Sequence, residues 1–354
     1  MRHLFLFDID SVLVDPQGYL KALQDTVAHF TRLMGVGELP PSAQEVRAFE
    51  AHGLTSEWDS AAACVAHVLL ERLAAKPPSA LPDILQAALS ALAEAPLTLP
   101  PPAYGPLAQR IGALISPGTT VPEAALAVLW QDALTGEELA PVLPDLGQVL
   151  EQLLGHTYDF HRSPTTRHFQ HLVLGDQAIR QTYGVEPDFD AAAYLETFDT
   201  RLLEERLGVR LHEASSRGAL FVALYTARPC LPPSGAGTAP LGYSPEAEMA
   251  RALARLDAFP IVGLGSLRWL AGESGESVDH LVKPSPVQAL AAIGTAASGE
   301  VVSALRAAYA LRREGKLRPP LRGLGDTTVH VFEDAPVGVE AARRAVRLLG
   351  QEDV

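Results

Sequence analysis

Three apolar segments of this chain each end abruptly in acidic or hydroxyl residues. They are FLFDID (residues 5–10), FVALYTARP (221–229) and VHVFEDAPVG (329–338), and a lone VKPSP (282–286) precedes the third. Short apolar runs rich in β-branched and aromatic residues are typical of buried parallel strands. Ligands bind at the carboxyl ends of such strands, so the sequence predicts a site where these segments end.

The composition excludes several classes of protein. The chain has 354 residues, 47% of them hydrophobic and 20% charged, which is enough for one sizeable domain with a second domain or a large insert. The sequence has no signal-peptide pattern and no apolar run of the roughly 18 residues that span a bilayer, and its two cysteines lie far apart. We therefore expect a soluble, cytoplasmic protein with no membrane partner. The net charge of -14 argues against a nucleic-acid partner.

A long helical block separates the first predicted strand from the second. Its apolar residues recur at helical spacing, a capping box begins at Ser42, and the last helix of the block is predicted over residues 190–207. From residue 208 onwards, strands and helices alternate, which predicts a doubly wound parallel sheet in an α/β core. We expect a discontinuous core of residues 1–15 and 208–354, with residues 16–207 inserted as an all-helical domain and a surface loop at residues 229–243.

The residues that end the strands suggest carboxylate and phosphate chemistry. Asp8 and Asp10 lie two apart, so an extended backbone would turn both carboxylates to one side, where they could share a cation or divide nucleophilic and acid/base roles. Thr226 offers a hydroxyl group after the second strand, and Lys283 offers a positive charge that could orient a carboxylate or neutralise phosphoryl oxygens.

The third strand end supplies acidic residues of its own. Glu333 and Asp334 follow the strand directly, and carboxylate oxygens are the hard ligands that Mg²⁺ prefers. A divalent cation would also offset the negative field of the chain if the substrate is anionic. The sequence therefore predicts a magnesium site at this end of the sheet.

In this order, the four segments resemble the four motifs of the haloacid-dehalogenase-like (HAD) superfamily of hydrolases, of the phosphatase type, over essentially the whole chain. The resemblance implies a HAD-like Rossmannoid core, and the inserted helical block is similar to the family's C1-type cap, although longer. It also implies that Asp8 is a nucleophile that forms an aspartyl-phosphate and that Asp10 is the acid/base. Thr226 and Lys283 would hold the phosphoryl oxygens.

The same resemblance implies the cofactor and its ligands. The cofactor would be Mg²⁺, bound by Asp8, the backbone carbonyl of Asp10 and Asp334, with Glu333 in support. Caps of this kind set substrate choice and exclude water. The implied substrate is a small phosphorylated metabolite, whose identity fold-level analogy does not supply.

Further candidates for substrate contacts come from patches that resemble a phosphatase-like subgroup. Trp58 and Asp59 begin a predicted helix of the insert, where they could contact substrate, although packing is the more frequent role of such a tryptophan. Ala227 and Arg228 follow Thr226 directly. Arg228 could hold a substrate anion, or it could be a solvated surface arginine.

Two departures from the family pattern bear on activity. The family's usual glycine after the acid/base is Ser11 here, and serine resists backbone conformations that glycine tolerates. The chain also ends soon after the helix that follows Asp334, where family members usually continue into another strand.

Four alternatives to a phosphatase follow from these observations. The first is a dehalogenase, but dehalogenases lack the second aspartate, which is Asp10 here. The second is a phosphonate hydrolase, which would need a Schiff-base lysine in the cap. The third is a sugar-phosphate mutase, which would need a histidine where Leu20 stands. The fourth is a catalytically weak or inactive binding or regulatory protein of the HAD fold. Ser11, the enlarged insert and the early C-terminus favour it, and the complete set of motif residues opposes it.

Overall fold

The computed structural model describes residues 2–116, 118–233, 243–324 and 326–350. The chain divides into two compact units, one formed by Met1–Gln17 together with Leu195–Val354 and the other by Gly18–Tyr194. We call them the sheet unit and the helical unit. Most of the predicted loop at 229–243 lies outside the described residues.

The described residues form six strands and fifteen α-helices. The strands are β1 (Arg2–Phe7), β2 (Val14–Asp15), β3 (Thr200–Arg201), β4 (Phe221–Tyr225), β5 (Ile261–Val262) and β6 (Thr327–Phe332). The helices are α1 (Gln17–Leu33), α2 (Ala43–Ala51), α3 (Glu57–Ala75), α4 (Leu85–Ala93), α5 (Tyr104–Gly112), α6 (Val121–Thr135), α7 (Leu143–Leu154), α8 (Pro164–Tyr183), α9 (Tyr194–Thr197), α10 (Glu205–Ser216), α11 (Glu246–Leu253), α12 (Leu264–Ser274), α13 (Pro286–Ser298), α14 (Val301–Glu314) and α15 (Pro336–Leu348). None of the helices in the described ranges is long and apolar enough to cross a membrane.

Four of the strands form a parallel sheet in the order β5-β4-β1-β6. β1 lies between β4 and β6, and Phe7 at its end is opposite Leu224 in β4 and Phe332 in β6. This register aligns the carboxyl ends of β1, β4 and β6, the three strands that the apolar segments predicted. The fold is therefore α/β with a Rossmann-like parallel sheet, as the sequence predicted.

Helices cover both faces of the sheet. Apolar side chains of the strands point alternately to the two faces and form one buried cluster on each. Leu4, Leu6, Ala223 and Tyr225 lie in a buried cluster with side chains of α12, α13, α14 and α15. Phe7, Val222 and Leu224 belong to a second cluster, together with side chains of α11. Successive residues of a strand point to opposite faces, so one short apolar run supplies both clusters. The sheet is thus doubly wound.

The named elements of the helical unit are all helices. Two capping boxes begin α2 and α6, where Ser42 and Thr120 accept from the backbone N–H groups of Glu45 and Glu123 and each glutamate accepts in return. Arg72 of α3 is buried and donates to the carbonyl oxygens of Lys76, Leu92 and Ala95. It therefore satisfies carbonyls at the carboxyl ends of α3 and α4, which helices leave without partners.

The structure differs from the sequence prediction between residues 190 and 207. The continuous helix predicted there is wrong, because the segment contains the one-turn helix α9 and strand β3 before α10 begins. β3 pairs in antiparallel fashion with β2, where Val14 is opposite Arg201 and Asp15 is opposite Thr200. This pairing places residues 195–207 with the sheet unit, whereas the predicted insert included them.

Candidate active site

The candidate site lies at the carboxyl edge of the parallel sheet. β1 ends at Phe7, immediately before Asp8, and the Asp8 N–H donates to the carbonyl oxygen of Phe332 at 2.9 Å. β6 ends at the same level, immediately before Glu333. The strand register therefore brings residues more than three hundred positions apart in the sequence to one place.

Lys283 lies between two carboxylates at this edge. Its ammonium nitrogen is 3.1 Å from Oδ2 of Asp8 and 2.8 Å from Oε2 of Glu333, and all three side chains are nearly buried. It also lies 4.2 Å from the ring centroid of Tyr225, the last residue of β4. A buried ammonium group in contact with two carboxylates fixes both, because charge-assisted hydrogen bonds are short and strong.

Crowding of acidic groups perturbs their protonation. Burial raises the pKa of Asp8 to about 7, and the neighbouring Glu333 and Asp10 add to this effect while Lys283 opposes it. Partial burial and Glu333 raise the pKa of Asp334 as well. Carboxyl groups held this close resist ionisation unless a positive charge joins them. A divalent cation would supply that charge.

The described carboxylates include one set with the spacing of a cation site. Ligand oxygens of Asp8, Glu333 and Asp334 all lie within 4.8 Å of one another. Carboxylate oxygens are the donors that Mg²⁺ and Ca²⁺ prefer, so the donor set fits the ion that the sequence implied. The Asp10 carboxylate is outside this set, and the role expected of the Asp10 backbone carbonyl stays a prediction.

Thr226 lies one residue past β4 and is completely buried. Its backbone N–H donates to the carbonyl oxygen of Val262, and its hydroxyl oxygen accepts from the N–H of Arg228 at 3.1 Å. The hydroxyl proton is not used in that bond. Gln288 of α13 donates to the carbonyl oxygens of Thr226 and Val262 at 2.7 and 3.0 Å, and so holds the ends of β4 and β5 together.

Arg228 is not a solvated surface arginine, because its side chain is only 1% exposed. Its Nε and Nη2 atoms contact Asp10, with Nη2 2.5 Å from Oδ1. Nη2 also donates to Oδ2 of the buried Asp199 at 3.0 Å. The alternative of a surface role is therefore wrong, and a direct contact with a substrate anion stays a prediction. Ala227, the other candidate in this loop, is exposed.

The sequence analysis missed Asp199 and Gln288. Asp199 lies in the segment taken for a helix, where nothing in its neighbourhood indicates a polar partner. Gln288 did carry a signal, because it is the one polar side chain in the apolar stretch VQALAAI of α13. A lone amide on a buried helix face requires hydrogen-bond partners.

Ser11 occupies a backbone conformation that glycine adopts more readily than serine. Its φ is 58°, in the left-handed region, where serine is strained. The loop around it is short and internally bonded, because the Ser11 N–H donates to the carbonyl oxygen of Val14 and the Leu13 N–H donates to that of Ile9.

Trp58 and Asp59 lie in the helical unit, in the first turn of α3. The Asp59 carboxylate is buried and accepts from Thr157 at 2.5 Å and from Tyr158 at 2.8 Å. Burial raises its pKa to about 6. The Trp58 indole donates to Gln170. These internal partners fit packing, and the predicted substrate contacts of Trp58 and Asp59 stay a prediction.

Comparison with known proteins bears on the fold alone. The chain matches no protein-family model, and no curated protein matches it in sequence. An X-ray structure of a Northeast Structural Genomics Consortium target is similar over 98% of this chain and 88% of its own, with a TM-score of 0.60 and 12% identity. The phosphatase Tt82 from Thermococcus thioreducens is 15% identical over 98% of this chain and 99% of its own, but its TM-score of 0.39 supports no argument.

Proposed function

We propose that this chain is a HAD-like, Mg²⁺-dependent phosphatase that hydrolyses a small phosphorylated metabolite through an aspartyl-phosphate on Asp8. The observation that carries the proposal is the buried contact of Lys283 with Asp8 and Glu333, beside Asp334, at the carboxyl edge of the sheet. We also propose that the helical unit is the cap that the resemblance implies.

Asp8 is suited to act as a nucleophile in this scheme. One of its oxygens, Oδ1, accepts from the Ile9 N–H at 2.8 Å, and the other faces Lys283. Both contacts fix the rotamer of the carboxylate, so an attacking oxygen would be held in one orientation. Lys283 would then neutralise charge on the phosphoryl oxygens, and the Thr226 hydroxyl would donate to one of them.

The metal would be held by Asp8 and Asp334, with Glu333 in support. When bound, Mg²⁺ would neutralise the transferring phosphoryl group and the crowded carboxylates. The raised pKa values of Asp8 and Asp334 support this assignment, because both carboxyl groups would ionise more readily beside a cation.

Asp10 would exchange protons with the leaving group and with water. It lies two residues past Asp8, outside the cation set, and its side chain is 30% exposed, so substrate and water can reach it. A proton-transfer group needs this access, whereas the nucleophile needs to be held firmly. The absence of Asp10 from the cation set is therefore consistent with the division of labour between the two aspartates.

A second function is favoured by one observation. Ser11 holds a strained left-handed conformation directly after Asp10, where glycine would be unstrained. A catalytically weak or inactive protein of the same fold, with a binding or regulatory role, would tolerate that strain beside Asp10. The predicted cytoplasmic location and the predicted absence of nucleic-acid and membrane partners apply to both functions.

Phosphate release tests the proposal. Wild-type protein and Asp8→Asn would be incubated with a generic aryl phosphate and a panel of phosphorylated metabolites, with Mg²⁺ and with excess EDTA. Asp257→Asn is the matched control, because Asp257 is an exposed aspartate of the same unit. We expect wild type and Asp257→Asn to release phosphate only with Mg²⁺, and Asp8→Asn to be inactive but folded.

Three outcomes would contradict this expectation. Activity in Asp8→Asn would exclude the covalent mechanism. Equal rates with and without EDTA would exclude the metal. A folded wild-type protein that is inactive on every phosphate ester would favour the binding or regulatory function, and a search for ligands by thermal shift would follow.

A further inference from the structure

A buried ion triad links three separate segments of the sheet unit. The Arg228 guanidinium lies between Asp10, which follows β1, and Asp199, which precedes β3. The side chains of Arg228 and Asp199 are 1% and 0% exposed, whereas that of Asp10 is 30% exposed. One end of the triad is therefore fixed in the protein interior and the other end reaches solvent.

We propose that Arg228, oriented by Asp199, is a positioning residue that holds the Asp10 carboxyl group in place for proton transfer. This inference rests on the proposed phosphatase function. Arg228 has no role in binding the substrate under this inference. Asp199 affects the reaction indirectly, because it contacts Arg228.

The contacts of Arg228 show how its position is fixed. Its N–H donates to the Thr226 hydroxyl, and its carbonyl oxygen accepts from the Leu264 N–H at 3.0 Å. The backbone of Arg228 is thus attached to the end of β4 and to the start of α12. Asp199 is held by its position next to β3, which pairs with β2 a few residues after Asp10. The two segments that carry the carboxylates are therefore tied together independently of Arg228.

The geometry at Asp10 distinguishes its two oxygens. Oδ1 accepts from Nη2 at 2.5 Å and from Nε at 2.9 Å, and Oδ2 accepts from Nε at 3.1 Å. The planar guanidinium thus fixes the orientation of the carboxyl plane, as a lysine ammonium could not. Oδ2 has the single and longest of these three bonds to Arg228, and we assign it as the oxygen that exchanges a proton.

The two steps of the reaction would use Oδ2 in turn. As an oxygen of Asp8 forms a bond to phosphorus, the ester P–O bond breaks, its electron pair goes to the leaving oxygen, and the Asp10 carboxyl gives that oxygen its proton. The Asp10 carboxylate then takes a proton from a water molecule as the water oxygen attacks phosphorus. The bond between the Asp8 oxygen and phosphorus breaks, and its electron pair returns to that oxygen. Inorganic phosphate is released, and the Asp8 carboxylate and the protonated Asp10 carboxyl group are restored.

One edge of the Arg228 guanidinium is unsuited to hold a substrate anion directly. Its Nε and Nη2 atoms, which form one edge of the guanidinium, are directed at carboxylates of the chain. A phosphate or carboxylate group of a substrate would have to displace Asp10 from that edge. The contact that the structure shows therefore favours positioning over substrate binding.

The test compares Arg228→Lys and Asp199→Asn with wild type on two phosphate monoesters. One is 4-nitrophenyl phosphate, whose leaving group needs little protonation, and the other is an alkyl phosphate, whose leaving group needs a proton. Arg251→Lys is the matched control. Arg251 of α11 lies in the same unit and donates to the carbonyl oxygen of Phe259, which is not part of the triad. Circular dichroism and thermal melting verify that each variant is folded.

We expect Arg228→Lys to lower kcat for the alkyl phosphate about 10- to 100-fold, a large part of what acid–base catalysis supplies. The loss on 4-nitrophenyl phosphate should be several times smaller, and KM should change little on either ester. Asp199→Asn should show the same pattern more weakly, about 3- to 10-fold, and the double variant should lose no more than Arg228→Lys alone. Arg251→Lys should match wild type.

Other results would overturn the inference. An unchanged kcat in folded Arg228→Lys, an equal loss on both esters, or a raised KM with unchanged kcat would each exclude positioning. If Arg228→Lys does not fold, an unchanged kcat in Asp199→Asn would exclude it. A folded wild-type protein that is inactive on every phosphate ester of the panel would overturn the proposed function as well, whereas active wild type with unaffected variants would overturn this inference alone.

Discussion

Replacement of Gly338 by alanine tests the buried acidic cluster without touching a charged residue. Gly338 lies in the first turn of α15, and a Cβ atom built there would lie 2.1 Å from Cδ and Oε2 of Glu333. Carbon and oxygen atoms do not approach so closely, so the Glu333 carboxylate would have to move. The same Oε2 atom contacts Lys283 at 2.8 Å, so a move of the carboxylate that admits the methyl group would disturb that ion pair.

Two opposing effects determine the size of the change. Alanine is favoured over glycine in a helix by about 1 kcal/mol, which would raise the free energy of unfolding. Removal of one partner of a buried ion pair costs about 3–5 kcal/mol. That cost is the upper limit here, because the nearly buried Glu333 and Lys283 both remain and Lys283 also contacts Asp8. We therefore expect Gly338→Ala to lower the free energy of unfolding, by at most about 4 kcal/mol.

Urea denaturation followed by circular dichroism would measure this difference. Gly272→Ala is the matched control, since Gly272 also lies in a helix of the sheet unit and a Cβ atom there would meet nothing within 4 Å. That variant should be unchanged or up to about 1 kcal/mol more stable. If Gly338→Ala were as stable as Gly272→Ala, the Glu333 carboxylate would not occupy the place beside α15 described above.

Two further predictions concern single residues. Burial raises the pKa of Asp59 to about 6, so the ionised form is disfavoured in the folded state and stability is lost as pH rises from about 4 through 6. Asp59→Asn should therefore stabilise the protein at pH 8 relative to pH 4 by up to about 3 kcal/mol in urea denaturation, and an equal difference at the two pH values would refute this. At Ser11, φ is 58°, so Ser11→Gly should be more stable than Ser11→Ala by about 0.5–2 kcal/mol; both lose the hydroxyl, and only glycine relieves the backbone. Equal stabilities of these two variants in the same assay would show that the backbone is unstrained.

The sequence predicted the residues at the strand ends better than the connections between them. Asp8 and Glu333 could be placed together because each directly follows an apolar run, a pattern that is local in the sequence. Lys283 follows no such run and was added to them by its place in the order of the four segments. The parallel arrangement then brings such ends to one edge whatever lies between them. The same pattern predicted that Thr226 follows a buried strand, which the structure shows.

The partners of Arg228 could not be predicted in this way. An arginine three residues past a strand is compatible with a solvated side chain, a substrate contact or a buried ion pair. Which of these three roles Arg228 has depends on Asp199. Asp199 lies close to Arg228 because β3 pairs with β2, although the helical unit separates these two strands in the sequence. Two-residue strands carry too little periodicity to be recognised, and the Ala- and Leu-containing segment around them has helical composition.

The central position of β1 in the sheet has a consequence for synthesis of the chain. β1 is made before the other strands of the sheet, yet its two hydrogen-bonded neighbours begin at Phe221 and Thr327, whereas the helical unit is one continuous stretch. Pairing over such separations is slow, and chains fold from the N-terminus as they are made. We expect the helical unit to fold on the ribosome while β1, with Asp8 and Asp10, still has no strand beside it. The sheet is completed only when β6 has emerged.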